Sequence, residues 1–522
     1  MPLIDPKRLK ERYEQARQAR APYERLFEDA AELILPTRLG FTSKQAEGTE
    51  RYSRLFDSTA VWANEVFAAQ LAGQLINPAM RWLALRTEDP ELEKERDVQE
   101  WLREAETRVL RVLSNPLRRF YPQTHETFLE LGAFGTAVFA TSEDLKFLSV
   151  PLPDVYIEED ASGQAVALYR RYQMRAREAA ARYGQRLGDK LLREAAGNPA
   201  EKWEFVQAVL PRDEADPTNR RPWVSIHFHE AEGRIVEVSG FREFPFAVVR
   251  WTRIAGEPYG RGPGMTVLAD IRMLQRLKEV IIRGLQKVVD PPLLVPDDGF
   301  IGPLSTRPSA LNYYRAGMQD KVEPLVTGAR PEIGEQFVQT VRETVLRAFF
   351  IDPNDAQPMK THIPATAILD RRDERFRRMT PMLARLQAEW LAPVISRVLA
   401  VMGRRNMLPP APDILEGQPL RPEFVSTAAI AQQMTEVDNM ERFLARVAPV
   451  MELDPAAAQM LDSGEFVKVV ARNMAIPMEV LRDPEEVAQI REQAAAQMER
   501  EQQAQEAVAV SQAIKNIATA QR

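Results

Sequence analysis

The sequence contains no cysteine. That removes disulfides, thiolate metal sites and cysteine nucleophiles together, and it suits a reducing compartment. No apolar run reaches the roughly 18 residues that a membrane-crossing helix needs. The segment Met1-Pro2-Leu3-Ile4-Asp5-Pro6-Lys7-Arg8 lacks the apolar core of a secretory signal, so synthesis in the cytoplasm is expected. There is no excess of positive charge either. The formal net charge is -6, which excludes a surface that clings to nucleic acid everywhere. The patterns G-x-x-x-x-G-K-[ST], G-x-S-x-G and H-E-x-x-H are absent, so P-loop ATPases, α/β-hydrolases and zincin proteases are set aside. No internal repeat is visible. By these absences the sequence argues against an enzyme.

What is present is a globular composition, 45% hydrophobic and 28% charged over 522 residues, long enough for about three or four domains. The stretch that organises it begins Tyr259-Gly260-Arg261-Gly262-Pro263-Gly264 and continues as an amphipathic helix from Met265 to Val289, stopped by Asp290-Pro291-Pro292. Val267, Ile271, Leu274, Lys278, Ile281, Leu285 and Val288 form a seam at 4-3 spacing, broken only by Lys278. Arg272, Arg276, Arg283 and Lys287 share a strip on the opposite side, with Glu279 inside it. At 1.5 Å per residue the rod spans roughly 40 Å. It reads equally as a core helix with a solvated basic face. A second helical run, Pro331 to Ile351, follows a Pro/Gly-rich insert.

The rest of the chain reads as α+β, mainly α. Helices are expected over residues 5–35, with Pro22 splitting the first in two, from Asp57 or Ser58 to Ile76, over Glu91–Leu113 and over Tyr121–Phe134. Strands then follow at Ala137–Ala140, Leu145–Val150, Asp154–Glu158, Ala165–Gln173, Trp203–Leu210, Trp223–His229, Arg234–Ser239 and Phe246–Ile254, with a helix over Arg175–Ala196. The insert carries short strands near Leu293–Val295, Ala310–Tyr314 and Lys321–Val326. A Pro-punctuated loop, Asp352 to Pro364, leads to a helix from Ala365 to Arg405 that Pro381 and Pro393 should kink. Ala428–Met451 and the segments beyond are helical, and the Ala/Gln/Glu-rich end reads as a solvated helix or as partly disordered.

Each motif has a plain reading beside the sharp one. Gly260-x-Gly262-x-Gly264 after a strand mimics a dinucleotide-binding turn. The spacing is wrong for G-x-G-x-x-G, however, and Pro263 removes an N–H that would cradle phosphate; a tight chain-redirecting turn is the plainer reading. His227 and His229 alternate on one strand face. Without a third ligand they read as exposed strand histidines. Asp297-Asp298-Gly299 reads as a turn before a cation site. Lys360 and His362, with Arg371, Arg372, Arg377 and Arg378 after them, form either a solvated face balanced by Asp370, Asp373 and Glu374 or a loop touching a polyanion. The residues alone do not separate these.

The order of elements resembles the portal, or head-to-tail connector, proteins of tailed double-stranded DNA phages, the short-tailed type above all. The residues that carry this are Pro258 to Gly264 leading into Ala269–Leu277, Asp290-Pro291-Pro292-Leu293-Leu294, Ala365-Thr366-Ala367 with Arg371, Glu374 and Leu386–Glu389, and Leu391-Ala392-Pro393 with Leu408-Pro409-Pro410. Phe56–Ala60 and Gln70–Pro78 also look like the family. Two departures are Ile368, where the family often has an acid, and Ser426-Thr427, where it has Ser-Pro.

The resemblance implies a portal fold: a wing (residues 1–255), a first stem helix (256–290), a small α/β clip (291–330), a second stem helix (331–351), a tunnel loop (352–366), a long kinked helix with more wing (367–450) and a helical crown or tail (451–522). It implies a homo-oligomeric, dodecameric ring at one capsid vertex of the virion, with double-stranded DNA passing through it independently of sequence. The partners implied are the terminase large subunit, a tail adaptor, and capsid and scaffold proteins. No cofactor, metal or membrane is implied. Asp352, Asn354, Asp355, Lys360, Thr361 and His362 would face the channel, Arg272, Arg276, Arg283 and Lys287 would form a basic stem strip, and Asp297, Asp298, Arg307 and Arg315 would contact terminase or adaptor. The alternatives are a nucleotide-binding enzyme using Gly260–Gly264, and another ring-forming tail or adaptor protein.

Overall fold

The computed structural model describes residues 4–42, 48–52, 55–216, 218–291, 293–294, 331–353, 378–415 and 417–425, the backbone of 323–324, and further on 437, 439–449 and single helical positions between 464 and 496. The chain divides into two units, Met1–Val425 and Ser426–Arg522. In the second, residues 439–449 are helical, within the expected Ala428–Met451 run.

The first unit opens on α1 (Pro6–Ile34), capped by the Asp5 carboxylate, which accepts the Lys7 N–H at 2.9 Å. Pro22 does not split it, contrary to expectation. One missing N–H is tolerated because the helix is pinned on both sides of the proline. Tyr13 and Ala16 are buried before it and Phe27, Ala30 and Ala31 after it. Arg20, itself buried, donates to the carbonyls of Leu152, Pro153 and Val155 at 2.8–3.0 Å and pairs with Glu24.

α2 (Thr59–Leu75), α3 (Arg96–Ser114) and α4 (Phe120–Phe134) follow. Between α2 and α3 lies β1 (Leu83–Thr87), for which no strand is expected from the sequence. Beyond α4 come β2 (Thr136–Thr141), β3 (Phe147–Val150), β4 (Val155–Glu159) and β5 (Ala165–Arg175). The single helix expected over Arg175–Ala196 is two, α5 (Ala176–Tyr183) and α6 (Asp189–Gly197), because Gly184 and Gly188 both take positive φ between them. β6 (Lys202–Pro211), the one-turn α7 (Arg212–Ala215), β7 (Trp223–His229), β8 (Ile235–Phe241) and β9 (Phe246–Arg250) complete the strands of this half, β9 ending earlier than expected.

Two antiparallel sheets result: β3-β2-β9, and the five-stranded β4-β5-β6-β7-β8. The larger sheet is covered on both faces. Leu9, Tyr13 and Ala16 of α1 pack with Tyr169, Val206 and Phe228 on one side. Tyr183, Leu187 and Leu191 of the α5–α6 insert pack with Phe205 and Trp203 on the other. The smaller sheet lies in the main core, where Phe120 is stacked between Trp82 and Trp390, its ring centroid 6.2 Å and 6.3 Å from theirs.

The chain then enters the one-turn α8 (Pro263–Thr266), α9 (Leu268–Val289), and the short β10 (Leu293–Leu294), paired with β11 (Glu323–Pro324). α10 (Pro331–Ala348) returns along α9. The expected continuous helix from Met265 breaks at Val267, which has φ -109° and ψ 19°, so α8 and α9 are separate. A further helix runs over 378–404, and β12 (Leu420–Phe424) closes the unit by pairing antiparallel with β1.

Candidate functional site

The glycine turn is filled by protein. Gly135, in the left-handed conformation at the C-terminus of α4, accepts the Trp251 N–H at 3.0 Å, and Gly260 donates to the Thr136 hydroxyl at 2.7 Å. A Cβ on Gly262 would lie 2.7 Å from the Leu131 and Gly132 carbonyl oxygens and 2.8 Å from the Gly135 nitrogen. The turn's glycines therefore permit backbone to meet backbone, and the space a phosphate would occupy in a dinucleotide site is taken by the end of α4.

From this turn α9 rises. Its seam holds only in the first half. Ile271 and Leu274 are buried, the latter against Val338 and Val341 of α10, with Leu277 and Ile281 partly buried beside them. Leu285 and Val288 are exposed at 43% and 55%, so among the described residues the far half of the seam has no cover. Lys278, the expected interruption, pairs with Glu335 of α10 at 2.9 Å. The seam is thus closed by charge where its apolar spacing fails.

The four cations of the strip are on the exposed side of α9. Arg272 pairs with Asp29 of α1, while Glu279 bridges Arg276 at 3.0 Å and Arg283 at 2.6 Å. Lys287 lies exposed in the last turn, where a cation favours the helix dipole.

The base of the two helices is tied to the loop before α2 through Gln275, Asp57 and Arg342. Gln275, buried on α9, accepts the N–H groups of Phe56 at 2.8 Å and Asp57 at 2.9 Å and donates to the Asp57 carbonyl at 2.6 Å. The Asp57 carboxylate takes the Arg342 guanidinium of α10 at 2.7 Å and 3.0 Å, and the Thr59 N–H at 2.9 Å. Of the two cap candidates the N-cap is Ser58, while Asp57, just before it, accepts the Thr59 N–H; its ion-pair role is not legible, because Arg342 is 285 residues away.

Pro381 and Pro393 both fall in the helix over 378–404. Around Pro393 the break takes the form of a π turn, Gln387–Leu391, with the Ala392 N–H reaching the Gln387 carbonyl. Proline at 393 has no N–H for the Glu389 carbonyl and its ring crowds it, which the wider turn relieves.

The two strand histidines, expected from the sequence to be exposed, are covered instead, because the α5–α6 insert packs over their face. His227 Nδ1 meets the Tyr172 hydroxyl at 2.9 Å, which meets Tyr183 at 2.8 Å, and His229 is buried against Trp203 and Phe205. Burial, only partly opposed by Glu237, pushes His227 down to about 4. Its folded pKa lies below the unfolded value of about 6.5, so the neutral form stabilises the fold above pH 6.5, and that contribution is lost as pH falls from 6.5 to 4. His227→Phe is expected to flatten the loss of stability over that interval, measured as urea midpoints at several pH values; an unchanged slope would discount His227.

Among the described residues no group of histidine and acidic side chains could hold a metal ion, and no helix is long and apolar enough to cross a membrane. Of the expected channel residues, Asp352 is described and half-buried at the end of the stretch after α10. Asn354, Asp355, Lys360, Thr361 and His362 lie outside the described residues, as do Asp297, Asp298, Arg307 and Arg315.

Residues 6–481 match the family model described as bacteriophage head to tail connecting protein. The chain is 28% identical over 519 residues to a probable portal protein of Bordetella phage BPP-1, covering 95% of this chain and 92% of that one. It is 26% identical over 528 residues to the portal protein of Salmonella phage epsilon15, covering 97% and 93%. Among solved structures it is similar to a chain in the neck of an empty gene transfer agent (GTA) particle, at 12% identity and a TM-score of 0.38, covering 79% of this chain and 90% of that one.

Proposed function

The chain belongs to the family of bacteriophage head to tail connecting proteins, and from that premise we propose that it forms a closed ring, twelve-fold, which lines the DNA channel at one capsid vertex. The observation that carries this is a family match along nearly the whole chain, together with relatives named portal protein that align over more than nine-tenths of their length. In this reading α9 and α10 are the stem and residues 291–330 the clip that meets the terminase large subunit during filling and the tail adaptor afterwards. Residues 352–366 are the tunnel loop, the two sheets and surrounding helices the wing, and the C-terminal unit the crown. Capsid and scaffold proteins surround it.

The charge distribution supports a channel rather than a DNA clamp. Each phosphate neutralised by Lys or Arg adds salt-dependent affinity, and tight binding would stall a moving duplex. The chain carries -6 overall, and three of the four strip cations on α9 already have acidic partners within the chain. The exposed apolar half of α9 supports a neighbouring copy as its cover, since large exposed apolar patches mark association surfaces. The two uses of the strip, facing DNA or a neighbour, remain distinct outcomes for labelling experiments on the ring.

Size-exclusion chromatography with light scattering and negative-stain imaging of the purified chain test the reading: a ring of about twelve copies with a central hole is the expected result, and a stable monomer at high concentration would overturn it. Within the ring, Lys360→Glu and His362→Glu are expected to leave assembly unchanged while altering genome packaging or retention. Unchanged packaging and retention in both variants would remove those residues from the channel role.

A further inference from the structure

One part of the first unit's surface sets an excess of positive charge around a fixed apolar tip. After α3 the chain makes a single tight turn, Pro116–Arg118. The Asn115 side-chain oxygen accepts the Leu117 N–H at 3.0 Å, and the carbonyls of Asn115 and Pro116 accept the N–H groups of Arg118 at 3.0 Å and Arg119 at 3.2 Å. Arg119 then takes the left-handed conformation, with φ 61°, and α4 starts from it. The turn holds Leu117 out at 83% exposure. A lone exposed leucine is ordinary on a protein surface. The surroundings set this one apart.

Arg118 donates to the Asp144 carbonyl at 3.2 Å, which places the tip beside the turn between β2 and β3. The Asp144 carboxylate takes the Arg405 guanidinium, just past the helix over 378–404, at 2.8 Å. Arg405 first, then Lys146 and Arg118, hold the Asp144 carboxyl below the usual carboxylate range. Beneath this layer Arg397 and Arg404 are matched by Glu143 and Glu243. Arg397 is buried and also donates to the Thr141 carbonyl at 2.9 Å, so the frame that carries the outer charges is fixed to the core. In the outer layer Arg118, Arg119, Lys146 and Arg405 face the single carboxylate of Asp144. Arg119 and Lys146 form no ion pair among the described residues.

The chain as a whole carries -6, so this patch reverses the sign of its surroundings. Such a local reversal steers an acidic partner to one place and repels it elsewhere. Cations on a fixed frame also lose little freedom on binding. Duplex DNA fits the patch poorly, because its most prominent side chain is a leucine and Asp144 lies among the cations. A protein chain can offer carboxylates and an apolar side chain together.

We propose that the surface around Leu117, with Arg118, Arg119, Lys146 and Arg405, docks an acidic protein segment that carries an apolar side chain. Its carboxylates meet the four cations, and its apolar group covers Leu117. The patch is a property of the single chain and does not rest on the ring reading.

Selection of short peptides from a displayed random library on the purified full chain tests this, followed by fluorescence anisotropy of the enriched peptides. Enriched sequences are expected to be acidic and to contain a large apolar residue. The double variant Arg119→Glu/Lys146→Glu, which breaks no ion pair of the fold, should bind them about tenfold more weakly. Leu117→Ser should weaken them about threefold, and added salt should weaken binding to the wild type. Enrichment without an acidic excess overturns the proposal, as do acidic peptides that bind the double variant as well as the wild type. A labelled DNA duplex that binds the wild type and not the double variant would give the patch to nucleic acid. Self-association lost in the double variant would give it to a second copy of the chain. Either result overturns the proposal too.

Discussion

Gly262→Ala is expected to destabilise the chain by about 3 kcal/mol or more, among the largest effects of any single methyl addition here. The added carbon would sit 2.7 Å from two carbonyl oxygens and 2.8 Å from a backbone nitrogen, all at the end of α4. None of these atoms can swing aside as a side chain would. α4 itself is fixed by the buried faces of α2 and the small sheet, so relief would have to move a core element. Two other glycines calibrate the result. At Gly264 the nearest atom is the Ile34 Cδ1 at 2.6 Å, the tip of a flexible side chain, so alanine should cost less there. At Gly284, inside α9, nothing lies within 4 Å, and alanine should stabilise by about 0.5–1 kcal/mol. Urea unfolding of the three variants gives the order. A Gly262→Ala variant within 1 kcal/mol of wild type would show that the turn is loose enough to hold something other than protein.

That turn shows what the sequence makes legible. Wrong glycine spacing and Pro263 suffice to reject a phosphate cradle, because the chemistry of such a cradle is local. The strands of the large sheet are equally readable from alternation, and α9 and α10 from period and stop signals. What fails is whatever depends on distant chain. β1 is five residues long and its partner β12 contains Pro422, so neither declares itself, yet they pair in full register from Leu83↔Phe424 to Thr87↔Leu420. The alternation of His227 and His229 is correct, but their burial is set by an insert that folds back over that face. Pro22 and Pro393 carry the same local penalty. In α1 the surrounding core absorbs it without a break, and in the later helix it is expressed as a π turn rather than a simple kink. Proline marks where a helix is weak; packing decides what the weakness becomes.

The second large effect is expected at Asp57, whose side chain is 1% exposed. Asp57→Ala leaves the Arg342 guanidinium without its carboxylate and the Thr59 N–H, the first of α2, without its acceptor, a loss of about 3–5 kcal/mol by analogy with broken buried pairs. Arg342 is 28% exposed, so water recovers part of this and the lower end of that range is expected. Asp57→Asn separates the two roles: it can still accept the Thr59 N–H, so it should retain that hydrogen bond and lose only the charge pairing. Acid titration provides an independent check. Burial alone would raise the Asp57 pKa, but hydrogen bonds from Thr59 and the Arg342 charge together hold it below the usual carboxylate value. A depressed folded pKa contributes stability that is present above the unfolded value of about 3.8 and is lost as pH falls below it. Wild type should therefore lose stability below pH 4 more steeply than Asp57→Asn, and the two curves should converge in strong acid. Because Gln275 grips the same loop through its backbone, Gln275→Ala combined with Asp57→Asn should cost more than the sum of the two singles, as α9 and α10 would then both be released from the segment before α2. Additive costs would mean instead that α9 and α10 are each anchored on their own, and that the loop at Asp57 is not the joint between them.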